Sequence, residues 1–182
     1  MCVAGLDRLG RMTSELLDRA LIEEASKKSG LIWVRGAAAP AARALWHVWH
    51  EGAVCVVGGG PGEQPLEGLA DGGYAEVSVR SKDKGGRLVT FPVAVREAAP
   101  GSEEWEATVA ELKGKRLNAP DGEEMPARWA RECRVLRLVP TGTVTPVPDG
   151  DLAERPLPTP ATTRRPVPAS LPKLLLKRRK RK

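Results

Sequence analysis

The chain reads as a mainly β domain of antiparallel strands with packing helices, in the order helix, strands, helix, strand. Three observations predict it. Residues 43–60, RALWHVWHEGAVCVVGGG, set two apolar runs around His50-Glu51-Gly52, the pattern of two antiparallel strands joined by a tight turn. Residues 74–80 and 88–97 form a second pair of strand-like runs around the polar turn SKDKGG. A helical segment then precedes a last apolar run at 133–139. Antiparallel strands with a helix inserted before the last one suggest a small barrel packed by helices.

Each element follows from local chemistry. Thr13 or Ser14 can cap a helix whose apolar positions Leu16, Leu17, Ala20, Leu21 and Ala25 recur at helical spacing. Lys27 and Lys28 suit its C-terminal dipole, and Gly30 stops it. Residues 31–35 make the first strand, and the Ala/Pro-rich stretch 36–43 a loop. The hairpin strands are expected near 44–50 and 53–58. Residues 58–73 hold seven glycines and two prolines and cannot continue a strand. Ser102 caps a second helix with Glu103 and Glu104 in its first turn. Trp105, Val109 and Leu112 share one face, while Lys113, Lys115 and Arg116 close it. A loop is expected from there to Ala127.

A length of 182 residues suits one well-cored domain, placed at 1–144. From 145 onward prolines recur every few residues, and that composition cannot build a core. The charge is uneven. Residues 151–182 carry 10 of the 29 Lys/Arg and 2 of the 23 Asp/Glu, a net +8, which leaves −2 for residues 1–150. The basic balance therefore belongs to the tail, and the body's totals give no basic face of the kind a nucleic-acid-binding core carries. The terminal LLLKRRKRK reads either as a solvated disordered tail or as a patch making weak electrostatic contact with anionic membrane or nucleic acid.

Cys2, Cys55 and Cys133 are scattered, without CxxC spacing, and read as reduced thiols of a cytoplasmic protein. Cys55, mid-strand, reads as buried and inert. Two histidines and no spaced cysteine pair argue against zinc, and no metal site is expected. The sequence has no run of about 20 apolar residues, so no membrane-spanning helix is expected. Asp7, Arg8 and Arg11 interrupt any apolar core of a signal peptide.

The hairpin WHVWHEGAVCVV, the strand pair YAEVSVR and RLVTFPVAV, and the acidic helix GSEEWEATVAEL together resemble the FMN-binding split β-barrel proteins, the pyridoxamine 5′-phosphate oxidase-like superfamily. The resemblance covers roughly residues 13–140. It implies a split β-barrel, a homodimer, FMN or a deazaflavin at the subunit interface, and oxidoreductase chemistry on an unknown small-molecule substrate. A split-barrel dimer that has lost its cofactor and serves as a binding module is the alternative.

The resemblance also implies site residues. Ala44, Leu45, Trp46 and His47 would lie against the flavin ring or ribityl chain, and Gly58, Gly59 and Gly60 would approach its phosphate. Many members of the superfamily place Thr and several cations after that strand. Here Glu63, Glu67 and Asp71 follow with no cation among them, a poor setting for a dianion. The cations that can compensate are Arg80, Lys82, Lys84 and Arg87 around one turn, with Arg43 at the start of the hairpin strand. Against this stands a solvated turn partly balanced by Asp83. Thr90 can donate a hydroxyl from the next strand. Trp33, Trp46 and Trp49 can stack on a planar ring, whereas Trp105 and Trp129 read as core. His47 and His50 fall on opposite faces of a regular strand, His47 toward a ligand and His50 at the solvated turn. No pattern names a catalytic acid, base or nucleophile.

Overall fold

The computed structural model describes residues 3–81, 86–117 and 121–145, with side chains from residue 13 onward. The basic tail at 146–182, Cys2, Lys82, Asp83 and Lys84 lie outside the described residues.

Helix α1 spans Val3–Lys28 and leads into β1, Leu31–Gly36. It begins well before the cap expected at Thr13 or Ser14. Its packing face is also turned from the expected one. Leu16, Leu17 and Leu21 are exposed, while Ile22 is buried and Ala25 packs beside it against the core. The run of leucines offers two overlapping helical stripes, and the barrel takes the one through Ile22.

Strands β2 (Arg43–Trp46) and β3 (Val48–His50) replace the single strand expected over 44–50. The remaining elements are β4 (Ala53–Gly58), β5 (Tyr74–Arg80), β6 (Arg87–Glu97), α2 (Glu103–Lys115), α3 (Met125–Glu132) and β7 (Arg134–Pro140). A single 3-10 turn over Gly122–Glu124 leads into α3. Helix α3 begins inside the stretch expected as loop to Ala127, with Pro126 in its first turn. At the first turn of a helix proline loses no hydrogen bond.

All seven strands form one antiparallel sheet in the order β2-β1-β5-β6-β7-β4-β3. The two ends of this order, β2 and β3, are consecutive in the chain and separated only by His47. The edges of the sheet must therefore meet, and the sheet rolls into a barrel. The hairpin turn is Glu51-Gly52, with φ of 44° and 74°, the two left-handed residues of a two-residue loop that matches strand twist.

Two cores result. Ile32, Val34, Leu45, Val54, Val56, Val77, Phe91, Val93 and Leu138 fill the barrel, with Ile22 of α1 joining them. Val48, Cys55, Val57, Trp105, Leu112, Met125 and Trp129 form a second layer between β3, β4, β7 and helices α2 and α3. Strand β4 serves both, which is why its six residues are all buried and it reads as continuous apolar sequence. Ser102 caps α2, its Oγ accepting from the Trp105 N–H at 3.1 Å. No described helix is long and apolar enough to cross a membrane.

Candidate functional site

The barrel is split where β2 and β4 approach. By the register of the β3–β4 ladder, Val57 stands opposite Trp46, yet the ladder stops at Val48 and Cys55. The gap is filled by one side chain. Gln64 Oε1 accepts from the Trp46 N–H at 2.8 Å, and Gln64 Nε2 donates to the carbonyls of Trp46 and Val57, both at 3.0 Å. A carboxamide thus substitutes for a missing stretch of strand. The glycine run is the seat for this residue. The Gly59 N–H donates to the Gln64 carbonyl at 2.9 Å, and a Cβ on Gly58 would lie 2.2 Å from that same oxygen. Gly60 is pressed against Glu132 and Cys133 in the same way.

The loop after β4 carries three carboxylates, and none is unpaired. The side chain of Glu63 is fully buried between Arg116 (3.2 Å) and Arg128 (3.0 Å), and Trp129 Nε1 donates to it at 3.0 Å. Glu67 takes a forked pair of bonds from Arg43, and Asp71 accepts from the Glu97 N–H at 2.8 Å. The cations missing from the loop itself are supplied by β2 and by the segments around α2 and α3. The loop is pinned by charge. Asp121 belongs to the same network, its carboxyl held below the usual range by the hydrogen bond from Arg128. Trp46 lies within it too, its ring between the Arg116 guanidinium at 5.1 Å and the Trp129 ring at 6.4 Å.

The outward face of β2, β1, β5 and β6 gathers a different set. Trp33 pairs with Ala44 on one side and Ser78 on the other, and Ser78 pairs with Thr90. Thr90 is buried, and its hydroxyl meets the Ser78 hydroxyl at 2.8 Å. Two residues on from Ser78, Arg80 lays its guanidinium 4.5 Å from the Trp33 ring. A bulge between Val79 and Arg80 shifts the register so that Arg87, rather than Leu88, stands opposite Arg80. The two arginines thereby become cross-strand neighbours, and the Nε of each is shut off from solvent without a hydrogen-bond partner. Neither has a carboxylate partner among the described residues. Leu31, Tyr74 and Leu88 border this face and are more than half exposed.

Of the described residues singled out from sequence, the structure brings Trp33, Ala44, Trp46, Arg80, Arg87 and Thr90 to this one face. It does not bring Arg43, Leu45, His47 or Gly58, Gly59 and Gly60 there. Leu45 is in the barrel core, Arg43 is engaged with Glu67, and Gly58, Gly59 and Gly60 seat Gln64. His47 is buried at the break between β2 and β3, its Nε2 donating to the Ser26 carbonyl at 2.9 Å. Burial and the nearby Lys115 push its pKa down. His50, expected in solvent, is half-buried at the end of β3, and His47 sits at the break before that strand, so the two are not on opposite faces of one strand. Cys55 is buried, which pushes its thiol up to about 11. Sequence reasoning missed Gln64, Glu63, Arg116 and Arg128, because their partners lie up to 66 residues away with no local pattern. Among the described residues no group of three His, Cys, Asp or Glu is placed to hold a metal ion.

No protein-family model and no curated protein sequence matches the chain. Solved structures do. The heme storage protein HutZ from Vibrio cholerae aligns with 68% of this chain and 90% of its own at 15% identity, with a TM-score of 0.50. An F420 reductase covers 66% and 93% at 15% identity, with a TM-score of 0.44. The FAD and heme binding protein from Mycobacterium smegmatis covers 85% and 94% at 16% identity, with a TM-score of 0.43. The rolled antiparallel sheet, its sealed seam and the likeness to HutZ show the fold: this chain folds as a split β-barrel.

Proposed function

We propose that the chain binds a flavin-type cofactor, FMN or a deazaflavin, against the outward face of β2-β1-β5-β6 and works as an oxidoreductase. The observation that carries this reading is the Arg80–Arg87 pair. Like charges set side by side in a sheet are unfavourable by themselves, and their buried, unpartnered Nε atoms lack acceptors. A phosphate group removes both costs at once. Beside the pair lie the half-buried Trp33, the small Ala44 and Trp46, a flat surface suited to a planar ring. Trp33 and Trp46 would hold the ring and Arg80 and Arg87 its anionic end, while Ser78 and Thr90 hold each other between the two. A bound flavin supplies the redox chemistry; the protein supplies orientation and charge. The printed names of the neighbours, an F420 reductase and an FAD and heme binding protein, agree with this class of ligand. The exposed Leu31, Tyr74 and Leu88 around the face suit a homodimer that covers it. The scattered thiols suit a reducing, cytoplasmic setting.

A second reading is favoured by the seam itself. Gln64 and Glu63 occupy with the chain's own side chains the gap beside Gly58–Gly60 and draw Arg116 and Arg128 inward. This suits a binding module without a cofactor. Titration with FMN and with F420, followed by absorption and by tryptophan quenching, separates the two. Saturation at micromolar concentration that is lost in an Arg80→Ala, Arg87→Ala variant supports the first. Absence of binding, or affinity unchanged in the variant, removes it.

A further inference from the structure

We propose that the cavity between the C-terminal ends of α1 and α2 and the β2–β3 break is a separate binding site for a small aromatic monoanion bearing a hydrogen-bond donor. The cavity measures about 380 Å³, within the size of sites that take small molecules. Trp46, Val48, Trp49 and Leu117 give it apolar walls. Its polar lining is what specifies the ligand.

His47 is 7% exposed and Ser26 1% exposed, and both line the cavity. The Ser26 carbonyl can only accept, so His47 Nε2 must carry the ring proton. That leaves Nδ1 as a bare lone pair, and it has no partner. The Ser26 Oγ, on α1, has none either. Buried polar atoms without partners are rare, and here two belong to residues that line one cavity. The lone pair requires a donor from the ligand. Burial keeps the imidazole neutral, so it stays an acceptor at neutral pH.

Charge sets the rest. Three cations border the cavity, Lys27, Lys115 and Arg116. Lys27 is paired with Glu23 and Arg116 with Glu63. Lys115 is exposed and has no carboxylate partner among the described residues. One spare positive charge selects a monoanion. A ring carrying a carboxylate at one end and a hydroxyl or N–H at the other answers all these groups together, with its flat body against the tryptophans. The site shares Trp46 with the sheet face, but its polar lining does not depend on the flavin reading: Trp33 and the arginine pair lie outside it.

The test uses the full chain without flavin, titrated with 4-hydroxybenzoate by calorimetry and tryptophan fluorescence. Saturable binding is expected, weakened about tenfold for benzoate, which lacks the donor, and similarly for phenol, which lacks the charge. Lys115→Met and Ser26→Ala break no recorded bond of the fold, so both should keep the unfolding midpoint. Lys115→Met is expected to weaken 4-hydroxybenzoate about fivefold or more, a loss abolished by high salt. No saturable binding at millimolar concentration overturns the proposal. So does equal affinity for all three probes, or affinity unchanged in Lys115→Met.

Discussion

At the scale of single residues, His47 couples the fold to pH. Its pKa is depressed in the folded protein by burial, with Lys115 adding to the effect, and Lys27 and Arg116 also face it. In the unfolded chain the imidazole titrates near its ordinary value of 6.5. Below that pH the unfolded state binds a proton that the folded state refuses, so stability falls as the pH drops through 6.5 toward the lower folded value. Urea unfolding at pH 7.5, 6.5 and 5.5 should show a declining midpoint, and His47→Gln should flatten the decline. An equal decline in the variant would place the effect elsewhere. Asp121 does not add to this decline, because the hydrogen bond from Arg128 holds its carboxyl below the usual carboxylate range. Sequence alone suggested that His47 faces a ligand. It could not reveal that α1 supplies the carbonyl that fixes its tautomer, since Ser26 is 21 residues away on another element.

At the scale of elements, the loop between β4 and β5 is a latch. Gln64→Ala removes three hydrogen bonds at the seam and leaves the Trp46 and Val57 polar groups without partners there. The expected cost is about 2–3 kcal/mol, read by chemical denaturation, with faster amide exchange at Trp46. Glu63→Ala removes the buried acceptor of Arg116 and the Trp129 indole and leaves Arg128 with Asp121 as its carboxylate partner. That is expected to cost about 3 kcal/mol or more. Midpoints within experimental scatter of the parent protein in both variants would show that the loop is not the latch described. Much of the element pattern was legible. The hairpin turn, the strand pair around the polar turn and the Ser102 cap all follow from local residue chemistry. The break at His47 was not, because RALWHVWH has the composition of a continuous strand. What interrupts it is the need to join both edges of a rolled sheet. Helix α1 was legible as a helix but not in its face, since Leu16, Leu17 and Leu21 compete with Ile22 for the same role.

At the scale of the whole molecule, the closed sheet places unlike surfaces on its two sides. The outward face of β3, β4 and β7 is covered by α2 and α3, while that of β2, β1, β5 and β6 carries tryptophans, two adjacent arginines and exposed apolar rims. The arginine pair was half visible in sequence. Arg80 and Arg87 stood out in a basic cluster, but only the bulge at Val79–Arg80 aligns them. If this face is the dimer interface, sedimentation should give a dimer, and Leu31→Glu with Tyr74→Glu should yield a folded monomer. A parent protein that sediments as a monomer at tens of micromolar would set that aside.

The most direct test concerns the cross-strand pair Arg80 and Arg87 and what it attracts. Freshly purified, untagged protein should show, on titration with FMN or F420, a saturable shift in the visible spectrum at micromolar concentration. Inorganic phosphate should compete, and Arg80→Ala with Arg87→Ala should abolish the shift. A flat titration with both cofactors in the parent protein would contradict the account.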